Sequence, residues 1–276
     1  MTSKTILITG CSTGIGYDAA LTLRDRGWRV FASCRQAKDC ERLREMGFDS
    51  PLIDYENPAT IRSGLAEVLS ATGGTLDALY NNGAYAVPGA VEDLPTDALR
   101  AIFEANFFGW HDLTTQVLPI MRAQGHGRVV NCSSVLGLVP AMWRGAYVAT
   151  KFALEGLTDT LRIEMRESPV HIILLEPGPI TSDIRKNGRL QFERWINWEA
   201  SPRAALYRDK LIKRLNAQTG PDTFELPASA VTQKLIHAVD SPRPRPRYYV
   251  TTPTYLMGAL RRLLPTALLD WLIAKG

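Results

Sequence analysis

Two serines, Ser133 and Ser134, close the run "NCSS", and an apolar loop separates them from Tyr147 and Lys151 in "YVATK". Tyrosine and lysine at i and i+4 share one face of a helix, about 5–6 Å apart at Cβ. A phenol ionises near 10, so a proton shuttle at neutral pH needs it held near 7, a difference of about 4 kcal/mol. One ammonium at about 5 Å contributes about 0.8 kcal/mol in water and about 3.3 kcal/mol at an effective dielectric near 20. The pair therefore works as a general acid–base only in a sheltered cleft, which the apolar loop "VLGLVPAMW" suits. Taken singly, each residue reads equally well as a satisfied buried tyrosine or a solvated lysine.

The elements that must position these groups follow a regular rhythm. "KTILITG", "WRVFASC", "SPLIDY", "LDALYNN", "GRVVNCSS" and "VHIILLEPG" read as short strands, with "RYYVTT" as a last one. Helical patterns lie between them: from about Gly14 to Arg26, ending in "ERLREMG", through "TIRSGLAEVLSAT", as one long helix across "LRAIFEANFFGWHDLTTQVLPIMRAQ", and to about Arg166. Strands alternating with helices predict parallel β-α-β units. Continuous β-branched runs suit strands covered on both faces. The expected fold is α/β, a doubly wound, mostly parallel sheet with helices on both faces, in a single domain spanning 1–276.

Two segments break the rhythm. Residues 182–220 are charged and carry Phe192, Trp195 and Trp198, as a substrate lid would. Residues 254–276 form an apolar helical tail with Leu268, Leu269, Leu272 and Ile273 on one face. That tail is expected to pack on its own domain, with peripheral contact at a membrane surface as the alternative.

The first strand runs into "TGCSTGIG", whose glycines at 10, 14 and 16 leave backbone amides open at the start of a helix, a setting for pyrophosphate. An acid that would bind adenosine ribose hydroxyls is missing after the second strand. "SCRQ" stands there instead, and Arg35 can pair with a 2′-phosphate and stack on adenine. NADP(H) is therefore expected over NAD(H); the plain alternative is that Arg35 is a solvated loop residue. Asp54, at the end of the expected third strand, suits an adenine amino group or simply a turn. "NNGA", Asn81 to Ala84, follows the fourth strand at a carboxyl end where ligands collect in such sheets.

Composition narrows the class. The chain has 276 residues, 45% hydrophobic and 22% charged, with a formal charge of +4. No long basic run interleaved with aromatics points to nucleic acid. The four cysteines lack metal-type spacing, so no metal site is expected, and a reduced, cytoplasmic setting is the natural reading.

With "TGCSTGIG", "NNGA", Asn106 in "EANFFG", "NCSSVLG", "YVATK" and "EPGPITS" in order over residues 4–183, the chain resembles the short-chain dehydrogenase/reductase family. Its nearest likeness is to the hydroxysteroid and retinol dehydrogenase-like branch. The resemblance implies a Rossmann-type fold and a catalytic set of Asn106, Ser134, Tyr147 and Lys151. Asn106 would hold a water that links Lys151 to solvent. It implies phosphate contacts from Gly10, Ser12, Gly14, Ile15 and Gly16, with Asn81 on the ribose side. Tyr147, Lys151, Pro177, Gly178, Ile180 and Ser182 would lie on the nicotinamide side, Thr181 being the rival hydroxyl to Ser182. It also implies a homodimer or homotetramer built on the helices beginning near Trp110 and Tyr147.

Leu136, Val139, Met142 and Trp143, then Phe192, Trp195 and Trp198, surround the reacting centre in sequence. Leu136, Met142, Trp143 and Trp195 are the candidate substrate contacts. Such a lining expects a small lipophilic alcohol or carbonyl compound, steroid-, retinoid- or lipid-like. The alternatives are a reductase of small or acyl-carrier-linked ketones, or a non-catalytic NADP-sensing regulator.

Overall fold

A computed structural model describes residues 3–216 and 222–275 of the chain. The four tail-end positions 217–220 of the expected lid lie outside the described residues.

Six parallel strands carry the molecule. β1 (Thr5–Ile8) leads through α1 (Gly14–Asp25) to β2 (Arg29–Ala32). Then α2 (Ala37–Glu45) and α3 (Pro58–Thr72) precede β3 (Ala78–Asn81). α4 (Thr96–Phe103) and α5 (Gly109–Ala123) precede β4 (Gly127–Cys132), and α6 (Gly145–Glu164) precedes β5 (Val170–Glu176). The lid region holds α7 (Ile184–Trp195), α8 (Ala204–Leu206) and α9 (Lys213–Asn216). α10 (Ala228–Asp240), β6 (Arg247–Tyr249), α11 (Thr252–Leu263) and α12 (Thr266–Lys275) complete the chain.

The strand order is β2-β1-β3-β4-β5-β6. The chain moves outward from β1 to β2, then returns to β3 on the other side of β1. That reversal opens a crevice at the carboxyl ends of β1 and β3, where ligands bind in doubly wound sheets. The sheet is sealed on both faces: Ile6, Leu7, Leu79, Val130, Ile173 and Leu175 are at most 1% exposed. Each such side chain stabilises the fold by about 1.5–3 kcal/mol relative to exposure.

Two expectations need correction. "SPLIDY" is not a strand: it meets the sheet at the single parallel bridge Cys34–Leu52, with a second bridge, Phe31–Asp49, just before it. Pro51 has no N–H to donate, and the Ser50 hydroxyl takes the Ala32 carbonyl at 2.6 Å. The long helix is also interrupted, by a widened π-type turn at Glu104–Phe108. Within that turn the Asn106 amide spans the Tyr85 backbone, accepting from its N–H at 3.1 Å and donating to its carbonyl at 2.8 Å. Single π turns of this kind occur often at functional sites.

The tail docks on its own domain. Leu269 is buried and Leu272 and Ile273 are half-buried, while Leu268 and Trp271 face outward. No helix among the described residues is long and apolar enough to cross a membrane.

Candidate active site

β4 ends by aiming its last residues into the crevice. Ser134 is extended and buried, and its Oγ accepts the Leu136 N–H at 3.1 Å, capping the short turn Val135–Gly137. The next helix, α6, begins at Gly145 and brings Tyr147 and Lys151 to the same cleft. Tyr147 is 8% exposed and Lys151 1%.

Lys151 is held from three sides. Its Nζ donates to the Cys132 carbonyl at 2.7 Å and lies 4.4 Å from the Trp110 ring centre and 5.4 Å from that of Tyr147. Burial pushes its ammonium down to about 8, against the opposing pull of Cys132 and Glu155. Burial also pushes the Tyr147 phenol well above its usual range, with Cys132 adding to this. Hydrogen bonding to Ser134 and the charge of Arg144 work the other way. A dry cleft by itself thus moves the phenol away from neutrality; dryness helps only when positive charge lies against the phenolate.

The glycine-rich loop forms a cradle that side chains would fill. Gly10 sits at φ 69°, and a Cβ there would lie 2.5 Å from Gly83 Cα. A Cβ on Gly16 would meet the Gly10 carbonyl oxygen at 2.4 Å. No side chain caps the start of α1, and its first turn has no acid, so an anion fits there electrostatically. Gly14 and Ile15 are half-buried at that start, as is Ser12, whose carbonyl accepts from Arg42 at 2.7 Å. Arg42 was not anticipated; its spacing on α2 gave no motif to find it by.

Arg35 is exposed beyond buried Cys34. Asp54 makes a local turn, accepting the Glu56 N–H at 3.1 Å. On the other wall, the Pro177 carbonyl accepts the Val135 N–H at 2.8 Å. Gly178 packs so tightly that a Cβ would fall 2.0 Å from Thr251 Oγ1, a neighbour the sequence did not flag. Of the paired hydroxyls, Thr181 Oγ1 is committed to Glu225 at 2.7 Å. Ser182 makes only a local bond to the Ile180 carbonyl, and its Cβ is 3.2 Å from where a Gly14 Cβ would be.

Two asparagines have their side chains committed inside the fold. Asn81 is fully buried: its Oδ1 accepts from Tyr55 at 2.7 Å, and its Nδ2 donates to Thr114 and Asn131. Its side chain has no group left for a ribose, so only its backbone can face one. The Asn106 amide is likewise spent on Tyr85 and Thr150, which leaves its backbone carbonyl as the group able to hold a water.

Over the cleft lies a second apolar cluster that contains Tyr147 itself along with Tyr85, Phe192, Ile196 and Tyr207; Leu136, Trp143 and Trp195 pack against it. Trp143, at φ 67°, lies 4.7 Å from the Tyr207 ring centre. Trp195 Nε1 donates to Gln191 at 3.1 Å. Met142 is 57% exposed at the rim and belongs to no core cluster. Tyr207 also ties the segment that follows residue 182 to the loop before α4: its hydroxyl donates to Asp93 at 2.8 Å and accepts the Ala90 N–H at 2.7 Å. Ser201 and Arg203 add bonds to Asp93 and Glu92.

Comparison with known proteins agrees with this architecture. Residues 4–192 match the model of the short chain dehydrogenase family. The Escherichia coli K12 protein named uncharacterized oxidoreductase YbbO is 39% identical over 267 residues, covering 97% of this chain and 93% of its own. Mouse retinol dehydrogenase 16 is 31% identical, covering 98% and 87%. A short chain dehydrogenase/reductase from Burkholderia phymatum, solved with NAD, is 26% identical over 95% and 92%, with a TM-score of 0.76.

Proposed function

Because this chain belongs to the short-chain dehydrogenase family, and is an oxidoreductase of that family, we propose that it interconverts a lipophilic alcohol and its ketone or aldehyde using NADP(H). The observation that carries the reading is the meeting of Ser134, Tyr147 and Lys151 in a dry cleft roofed by an aromatic lid.

The cradle of Gly10, Ser12, Gly14, Ile15 and Gly16 suits the cofactor pyrophosphate, Arg35 a 2′-phosphate, and Asp54 the adenine. Pro177, Gly178, Ile180 and Ser182 would hold the nicotinamide side, with Lys151 and the Asn81 backbone toward the ribose. The chemistry a bound nicotinamide would supply is hydride exchange with the substrate carbon.

The chain's own groups manage the proton. Tyr147 Oη gives a proton to the developing alkoxide in reduction and removes one from the alcohol in oxidation. Ser134 Oγ hydrogen-bonds the substrate oxygen as charge forms on it. Lys151 sets positive charge beside the phenolate. Asn106, through its carbonyl, orients a water for proton exchange with solvent.

Leu136, Met142, Trp143 and Trp195, with the lid built from residue 182 onward, would enclose the substrate. The apolar cluster of Tyr85, Phe192 and Ile196 on that side favours a bulky lipid over a small ketone. The mouse relative is named for a lipid alcohol, retinol. The apolar groove between the outer faces of α5 and α6, lined by Phe107, Leu157 and Leu161, suits pairing with a second copy. Exposed Leu263 and Trp271, beside Arg261, Arg262 and Lys275, suit peripheral contact with a membrane surface.

The test is steady-state reduction of retinoid and steroid carbonyls against acetoacetyl thioesters, each with NADPH and NADH. The reading expects the highest kcat/KM with a lipid carbonyl and NADPH. Preference for the thioester or for NADH would overturn the corresponding half.

A further inference from the structure

Beneath Lys151 lies a cluster that the proposed chemistry does not use. Glu155, one helical turn further along α6, and Glu176, the last residue of β5, are buried. Both end on the same nitrogen of Arg247: Nη1 donates to Glu155 Oε2 at 2.5 Å and also to Glu176 Oε1. The other nitrogen, Nη2, is taken by Asp159 at 2.5 Å, and Asp159 also binds Arg162. Two buried carboxyls are left with half of one guanidinium.

Their outer oxygens tell the same story. Among the described residues, Glu155 Oε1, Glu176 Oε2 and the Ser133 hydroxyl are buried without a hydrogen bond of ordinary geometry, although Ser133 lies near enough to pull the Glu155 carboxyl down and Glu155 near enough to push Glu176 up. A Cβ on Gly137 would lie 2.7 Å from Ser133 Oγ and 3.0 Å from Glu155 Oε1, so both border one small space. Unpaired carboxylate oxygens in such a place are costly unless a proton or a water satisfies them.

We propose that Glu155 and Glu176 share one proton, and that this protonated pair is a positioning device for the cofactor-binding cleft. With the proton retained, the pair balances Arg247 while Asp159 balances Arg162. Without it, a net negative charge is buried one turn from Lys151. Four segments meet at the pair: β4 through Ser133, next to Ser134; α6 through Glu155; β5 through Glu176, next to Pro177 and Gly178; and β6 through Arg247. The inference concerns the same cleft as the proposed function and rests on that reading for its consequence, though not for the proton itself.

The charged groups facing the pair are Lys151 and Asp159 on α6 and Arg247 on β6; Arg162 reaches it only through Asp159. Burial first, and the neighbouring Glu155 charge second, raise Glu176 far above the usual carboxylate range, while Arg247 opposes them. A raised carboxyl gives stability that is present in acid and lost as pH climbs through the raised value. On that loss the proton passes to solvent and the clamp weakens.

The test is an infrared pH titration of the full chain with 13C-labelled glutamate, in wild type, Glu176→Gln and Glu155→Gln. Wild type should show one protonated glutamate carboxyl at pH 7 that disappears on alkaline titration, and either variant should lack it. Its absence from wild type at pH 7, or its survival in both variants, would overturn the shared proton; the wild-type titration decides alone if a variant fails to fold. NADPH titration by fluorescence reads the positioning role: wild type should weaken about threefold more than Glu176→Gln between pH 7 and 9, since Lys151 titrates in both. Parallel pH profiles would overturn that role. A chain that shows the carboxyl band yet reduces no carbonyl keeps the proton and loses the proposed function instead.

Discussion

Lys151 donates to the carbonyl of Cys132 at 2.7 Å, so the helix that carries Tyr147 is tied to the strand end that leads into Ser134. The tie runs through a buried ammonium, 1% exposed, and its cost depends on pH. In the folded chain the ammonium is pushed down to about 8 by burial, and unfolding returns it to its usual value of about 10.5. Between those values the unfolded state binds more protons, so stability rises with pH.

Lys151→Met removes that dependence. Relative to the variant, wild type should gain about 3 kcal/mol between pH 8 and pH 10.5, an upper figure given the neighbouring charges. Urea unfolding at several pH values checks it; a constant difference would contradict the buried-ammonium account.

Cofactor choice is predicted to turn on the end of β2. Cys34→Asp with Arg35→Ala should shift the NADPH/NADH ratio of kcat/KM toward NADH by at least tenfold, about 1.4 kcal/mol. An unchanged ratio in steady-state kinetics would remove Arg35 from the 2′-phosphate.

The tie through Tyr207 should behave as a unit. Tyr207→Phe leaves the Ala90 N–H and Asp93 without their shared hydroxyl partner, and should cost about 1–3 kcal/mol. If the segment from residue 182 encloses substrate as proposed, KM for a lipophilic carbonyl should rise more than kcat falls. Thermal unfolding and substrate titration measure the two effects separately.

Close packing of Gly178 against Thr251 gives a rescue experiment. Gly178→Ala puts a methyl 2.0 Å from Thr251 Oγ1 and should destabilise by about 1–3 kcal/mol. Adding Thr251→Ala should recover part of that loss in a double-mutant cycle. Additive losses would place the strain elsewhere.

Much of this architecture could be read from the chain itself, because the strand runs at Ile172–Leu175 and Val129–Val130 are buried on both faces and show aliphatic character. "SPLIDY" misled because Leu52 and Ile53 suit a strand, yet with Pro51 lacking an N–H and the Ser50 hydroxyl on the Ala32 carbonyl the pairing goes no further than a bridge. The π turn at Asn106 was invisible, since its apolar spacing fits an ordinary helix and only Tyr85, distant in sequence, reveals why it widens. The i, i+4 spacing placed Tyr147 and Lys151 on one helical face, as the structure has them, but their proposed roles came from the whole set of motifs in order. Tyr207, Asp93 and Thr251 were not, because each acts through a tertiary partner that no local pattern encodes.

Tyr147→Phe tests the central claim most directly. Turnover of a carbonyl substrate should fall by at least about a thousandfold, beyond the loss of a single hydrogen bond, while NADPH affinity measured by fluorescence stays within a few-fold of wild type. Retained turnover in a folded, NADPH-binding variant would contradict the assignment of the proton to this phenol.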